Sequence, residues 1–333
     1  LLSRALNTLF KAPNFEYSTP MSAKNLKISD DHAGRRLDNY LFYVYKSLPK
    51  SKIYNMIRKG EIRVNSGRIK PSRKLQLNDE IRIPPYLIDF DANELEIKIP
   101  PSRISEYWKS VVFENSDYIV FNKDPELSVH SGSSNQFGLI DIARVAHENK
   151  EIDLCHRIDK STSGCIVLSK NKRFLRIFHD QLKNQEITKK YQAILMGQFK
   201  GNRRIETKID SSTKEFLHKV QESSDGKDAI SEFRLIESLG SFSHVEILIF
   251  TGRMHQIRVQ SANLGLPIVN DKKYGDFAAN KFIAKETGVN RLALHSSFIE
   301  FNNRDGVKVT YKAPLNDEFD ILLHKLCLLT IQS

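Results

Sequence analysis

Residues 156–164 read HRIDKSTSG. One carboxylate, Asp159, stands between two bases, Arg157 and Lys160, with hydroxyl residues and a glycine behind it. An acid in that setting is either a surface ion pair or a group held ionised beside a polyanion. The run that follows, CIVLSK (165–170), has the length and apolar content of a short buried strand. Thr162, Ser163 and Gly164 therefore read as the turn that holds Asp159 at the strand entrance, their hydroxyls bonding to backbone.

Outward from this point, strands and helices are interleaved without a strict βαβ rhythm. VVFEN and YIVFNKD read as strands joined by a turn at Asn115-Ser116-Asp117. NKRFLRIFHDQLKNQ (171–185) reads as a helix with Phe174, Ile177 and Phe178 on one face. ITKKYQAILMG, KDAISEFRLIES and SHVEILIF read as further strands, MHQIRVQSANLG as a helix ended by Gly265, and DEFDILLHKLCLL as an amphipathic helix. The pattern implies an α+β fold with a mostly antiparallel sheet and flanking helices.

The chain has 333 residues, enough for two domains, and a net charge of +11. Residues 24–83 alone hold fifteen Lys plus Arg against six Asp plus Glu. A charge this local points to a polyanion-binding module on a more neutral body, in preference to a merely solvated basic face. Within the module, Leu37, Leu41 and Val44 repeat at helical spacing, as do Ile53 and Ile57, and Pro49 separates the two helices. Ser51 is placed to cap the second. Short alternating runs around Asn65-Ser66-Gly67 and Asn78-Asp79 then predict a small sheet. Residues 1–23 are expected to be an unstructured extension, with Met21 a candidate start. Pro84-Pro85 and Pro100-Pro101 bracket a linker over 85–105, and the second domain is expected over 106–330.

Several function classes drop out. No apolar run has the length of a membrane span. The three cysteines have no paired spacing and suit a reducing cytoplasm. There is no phosphate loop, dinucleotide fingerprint or G-x-S-x-G elbow, and the histidines form no metal-ligand pattern. The expectation is chemistry by side chains alone, with no cofactor and no metal. A carboxylate-pair glycosidase would need a second acid at a set separation, and a basic arm would be odd for a neutral glycan.

Four stretches mix polar residues with tight apolar packing: HRIDKSTSG (156–164), KKYQAIL (189–195), TGRMHQIRVQ (251–260) and RLALHS (291–296). In this order they resemble the RluA family of RNA pseudouridine synthases, over roughly residues 106–325. Residues 24–84 resemble the small αL-type RNA-binding domain named for ribosomal protein S-four. The domain order is that of family members acting on large-subunit (23S) ribosomal RNA. The sequence departs from the family pattern at Ile158, Cys165, Met254, Gln260 and Asn270.

The resemblance implies a uridine-to-pseudouridine isomerase acting on a flipped-out uridine in ribosomal RNA, monomeric and cytoplasmic. Transfer RNA, alone or together with ribosomal RNA, is the alternative substrate, and a non-catalytic RNA-binding or assembly protein the alternative outside the class. It implies three catalytic residues: Asp159, Arg258 as its counter-ion, and Tyr191 stacked on the uracil. It gives Arg157 the space vacated by the flipped base and Arg253 a phosphate or loop contact. The histidines 156, 255 and 295 are expected to be hydrogen-bonders or RNA contacts. Arg35, Lys50, Lys52, Arg58, Lys59, Arg63, Arg68, Lys70 and Arg73 are expected as phosphate contacts of the first domain.

Overall fold

A computed structural model describes residues 23–45, 48–87, 99–130, 137–210, 221–222 and 226–329. Residues 1–22 of the extension read over 1–23, and 88–98 of the linker, lie outside the described residues. The chain divides into two compact units, Leu1–Glu96 and Ile97–Ser333.

The first unit holds the basic segment. Strand β1 (Lys24–Lys27) precedes helices α1 (Leu37–Val44) and α2 (Lys50–Lys59), and strands β2 (Arg63–Val64) and β3 (Glu80–Ile83) follow. The three strands form an antiparallel sheet in the order β1-β3-β2, so one strand of the sheet comes before the helices. Leu37, Leu41, Ile53, Ile57, Ile81 and Ile83 fill its core. Ser51 does not cap α2: Pro49 takes the N-cap place without a side-chain bond. Its fixed φ suits a helix entry where no N–H is needed. Asn65 and Ser66 both take positive φ between the paired Val64 and Gly67, the geometry of a tight two-residue hairpin turn.

Among the described residues the second unit is built on an eleven-stranded sheet. It opens with α3 (Pro101–Lys109), which runs across the boundary placed at 105/106. Pro101 sits in the first turn of that helix, where a missing N–H costs nothing. Then come β4 (Val111–Glu114), β5 (Tyr118–Lys123), α4 (Leu139–Ala146), β6 (Asp153–Leu154), β7 (Ser163–Ser169), α5 (Lys172–Lys183) and β8 (Thr188–Met196). Strands β9 (Asn202–Asp210), β10 (Gln221–Glu222), β11 (Lys227–Leu239) and β12 (Phe242–Ile249) follow, then helices α6 (Gln256–Asn263) and α7 (Phe277–Thr287). Strands β13 (Leu294–Asn302) and β14 (Lys308–Lys312) and helix α8 (Asp317–Leu326) complete it.

The main path of the sheet is β10-β9-β11-β12-β8-β13-β7-β5-β4. Every pairing described is antiparallel except one: β13 runs parallel to β7, with His295 beside Ser163 and Ser296 beside Gly164. Ser296 also pairs with Tyr191 on its other side. Through that single parallel joint β13 lies between the strand after Asp159 and the strand bearing Tyr191, and pairs with both. Gly164 has a φ of 106°, and a Cβ there would stand 2.2 Å from the carbonyl oxygen of Ser296. Gly164→Ala is therefore expected to cost at least about 2 kcal/mol, through clash and a left-handed backbone together. Urea denaturation of the purified variant checks it.

Candidate active site

Asp159 lies four residues before the parallel joint, at the wall of a cavity of about 280 Å³. Tyr191, Arg258, Arg157, Arg253, His255 and Lys189 line the same cavity. Its volume is at the small end for ligand pockets. The Asp159 turn closes with the Thr162 N–H donating to the Asp159 carbonyl, 3.1 Å. From behind, the fully buried Lys123 donates to the carbonyls of Lys160 (2.9 Å), Leu127 (3.0 Å) and Asp124 (2.8 Å). Burial lowers its pKa to about 7.

The hydroxyl of Ser163 does not turn back onto the backbone. It meets His295 Nδ1 at 2.8 Å and accepts from Arg291 at 2.7 Å. Arg291 is itself buried, which lowers its pKa to about 10. Both partners belong to RLALHS, so two of the four stretches lock together through side chains. His295 Nε2 lies 3.2 Å from the Ala313 carbonyl, and burial lowers its pKa to about 4. His156 accepts from the Val167 N–H at 3.1 Å, and burial lowers its pKa to about 3. Both histidines are neutral fixtures of the fold.

Arg258 has two carboxylate neighbours. Its Nε and Nη2 hold Asp271 bidentately at 2.8 and 2.7 Å, and Nη1 lies 3.6 Å from Asp159. The principal partner of Arg258 is thus Asp271, and Asp159 receives the remaining edge of the guanidinium. Burial alone would raise Asp271. The hydrogen bonds and charge of Arg258, with the N–H groups of Lys273 and Tyr274, outweigh it and hold the carboxyl below its usual range. Arg258 also lies over the ring of Tyr274, whose hydroxyl meets His255 Nδ1 at 2.8 Å. His255 Nε2 is 3.8 Å from Asp159, and burial lowers the pKa of this histidine. Unlike the other two histidines, His255 faces the acid.

The loop before α6 is organised by Gln256, which is buried. Its Oε1 accepts from Thr251 (2.8 Å) and from the Arg253 N–H (3.0 Å), while Nε2 donates to Ser231 (2.8 Å) and Ile230 (3.1 Å). His255 stands at the N-cap of α6 with φ of 55°. Arg253 donates from Nε to the Asp228 carbonyl at 2.9 Å. Gln260, a departure from the family pattern, bonds Ser231 and Ala229 deep in the unit and does not line the cavity. Asn270, another departure, has φ of 61°, a conformation asparagine tolerates best after glycine. Arg157 is exposed at the cavity, and Tyr191 is buried. Burial pushes the Tyr191 phenol well above its usual range despite a hydrogen bond from Ser296.

In the first unit Lys50, Lys52, Arg58, Lys59, Arg68 and Lys70 are exposed. Arg35, Arg63 and Arg73 are half-buried and partly committed: Arg35 lies over Tyr43, Arg63 bonds the Gly60 carbonyl, and Arg73 pairs with the buried Asp79. Among the described residues no three His, Cys, Asp or Glu side chains converge as a metal site would need. Nor is any helix among them long and apolar enough to cross a membrane.

The family model described as RNA pseudouridylate synthase matches residues 117–263, and the S4 domain model matches residues 35–81. The ribosomal large subunit pseudouridine synthase C of Haemophilus influenzae is 37% identical over 311 residues, 92% of this chain and 95% of that protein. The chain belongs to the RNA pseudouridylate synthase family. The Escherichia coli K12 protein of the same name is 34% identical over 314 residues, 92% of this chain and 97% of that one. Human RNA pseudouridylate synthase domain containing 4 shares the fold, with a TM-score of 0.56 at 24% identity over 67% of this chain and 95% of its own. Within a pseudouridylate synthase, a carboxylate at a cavity wall beside a guanidinium and a tyrosine is a set that can act on a sugar carbon and a base together. Asp271, Lys123, Arg291 and Gln256 complete the site. The sequence offered Arg291 and Gln256 inside quoted stretches without a role, and gave no pattern for the other two.

Proposed function

We propose that this chain converts uridine to pseudouridine in large-subunit ribosomal RNA, with Asp159 as the acting carboxylate. The observation that carries the chemistry is the placing of Asp159 at the cavity wall, 3.6 Å from an arginine already fixed by a second acid. The substrate is carried by what the relatives are named for.

The reaction breaks C1′–N1, turns the uracil and rejoins it through C5. The target must first leave its stack, at a cost of a few kcal/mol. Arg157, exposed at the cavity, fills the vacated space and holds a phosphate. Asp159 then attacks C1′ or takes the C2′ proton; either route uses a carboxylate, and the Arg258 edge faces it at 3.6 Å. Tyr191 stacks on the uracil. As a neutral phenol hydrogen-bonded with Ser296, it accepts the C5 proton only by passing its own onward. Arg253 is a loop-bound phosphate contact.

The exposed cations of the first unit position the RNA through phosphates, in concert with Arg35, Arg63 and Arg73. A chain shortened to residues 97–333 is expected to bind ribosomal RNA about 10²-fold more weakly. Its plot of log affinity against log salt should flatten by several units, about 0.7–0.9 per lost phosphate contact. Filter binding across a salt series measures both, and an unchanged slope would remove the basic module from the reading. The protein acts as a monomer in the cytoplasm, a compartment that suits its three free cysteines.

Carbodiimide mapping of pseudouridine in total RNA tests the whole reading, in cells lacking the protein and in cells carrying wild type or Asp159→Ala. Large-subunit sites restored by wild type alone are the expected result. Restoration confined to transfer RNA would replace the substrate, and no dependent site at all would leave a binding protein.

A further inference from the structure

Lys189 is the cation of the cavity that the mechanism above does not use. It sits in β8 between two paired strands, opposite Ile249 of β12 and Ile299 of β13, so its backbone is held on both sides. Strand alternation puts it on the same face as Tyr191, two residues on and roughly 7 Å away along the strand. Both side chains line the cavity with Asp159. The ammonium reaches over Gly252, with Nζ 3.7 Å from where a Cβ would stand at that glycine. The absence of a side chain at Gly252 leaves it that room.

The Lys189 side chain is only partly exposed, and it faces the cavity. Burial lowers its pKa, with no carboxylate and no hydrogen bond among the described residues opposing. Its charge also contributes to keeping the neighbouring His156 neutral. Lys123, which is fully buried, is by contrast bonded to three carbonyls. A cation desolvated without a partner costs free energy, and a fold keeps one where an anion arrives later.

The anion that arrives in this cavity comes from the reaction itself. When C1′–N1 breaks, both electrons leave with the ring, and the uracil departs as an anion with its charge on N1, O2 and O4. Asp159 meanwhile has bonded C1′ or taken the C2′ proton, so its own charge is consumed. A ring lying on Tyr191 spans the distance from that tyrosine toward Lys189. We infer that Lys189 is a catalytic residue whose ammonium stabilises the departing uracil anion through a carbonyl oxygen, holding it while it turns to present C5. The inference rests on the pseudouridine synthase reading and goes beyond it by naming the group that receives the leaving charge. A preorganised donor aimed at charge that develops only in the transition state acts on rate more than on binding.

The experiment uses the full chain, single-turnover kinetics and two RNAs of one sequence, carrying uridine or 5-fluorouridine at the target. Fluorine makes the ring a better leaving anion without changing phosphates or sugar. With uridine, Lys189→Met is expected to slow glycosidic cleavage about 10²-fold while RNA affinity stays within about threefold. Lys189→Arg, which keeps the charge, should recover at least about tenfold of that loss. With 5-fluorouridine the methionine defect should shrink to less than about tenfold. A loss in affinity with an unchanged rate would assign Lys189 to a phosphate and overturn the inference. An equal rate loss on both RNAs, or no rescue by arginine, would assign it to structure and overturn it too. Wild type failing to convert either RNA is a separate outcome: it sinks the underlying reading, and the inference with it.

Discussion

Asp159→Asn is expected to lower the single-turnover rate of pseudouridine formation by at least about 10⁴-fold, the scale of losing an acting nucleophile or base. Asparagine keeps the size and planarity of the side chain and removes only the charge. The neutral amide can neither bond C1′ usefully nor take the C2′ proton, so both routes fail together. Binding should be nearly untouched, because affinity comes from cations elsewhere and Asp159 repels phosphate if anything. Stability should change by no more than about 1 kcal/mol, since Arg258 retains its bidentate bond to Asp271. The measurement follows from the reaction: C5 loses its proton when the ring rejoins, so tritium release from RNA labelled at C5 of uridine reports each turnover. Filter binding and urea denaturation on the same preparation supply the controls. A residual rate within tenfold of wild type would mean that another group acts on the sugar, with His255, 3.8 Å from Asp159, the first to test.

What was legible in the sequence, and what was not, divides along physical lines. The mostly antiparallel sheet could be read because β5, β7, β8 and β12 carry local apolar patterns of strand length. The parallel joint of β7 with β13 could not, since Ser163 and His295 are 132 residues apart and nothing local encodes the pairing. Helix α6 was found from its stretch and its terminal glycine, although six of its eight residues are buried, so no amphipathic stripe marks it. Asp159, Tyr191 and Arg258 were nominated by the resemblance, since each lies in one of the four stretches that carry it. Asp271 escaped because LPIVNDKKYG looks like a solvated turn; only the fold shows that its acid is fully buried under Arg258. Lys123 escaped for the opposite reason, since a lysine ending a strand reads as surface and here meets three carbonyls. Ser51 was misread because a cap was sought where proline already supplied the entry.

Asp271 carries the second large effect. Asp271→Asn is expected to destabilise the second unit by about 3–5 kcal/mol, the usual result of removing one member of a buried ion pair. The sign of its pH dependence follows from its lowered folded pKa. The stabilisation is complete above the unfolded value of ~3.9 and is lost as pH falls below that through the folded value. Wild type should therefore lose an increment of stability in acid that the asparagine variant lacks. Activity should fall as well, because Arg258, freed of its bidentate partner, is no longer fixed in the position from which its remaining edge meets Asp159. Two separate jobs are thus joined in one arginine, holding the fold and holding the acid. Arg258→Met with Asp271→Leu separates them. Replacing both charges with apolar groups of similar volume is often nearly neutral for stability, so the double variant should regain most of the urea midpoint that Asp271→Asn loses. It should regain none of the tritium release, since Asp159 would then face no cation in that direction. A double variant that recovered both would show that the guanidinium serves only the fold, and one that recovered neither would show that packing around Asp271 depends on more than the pair.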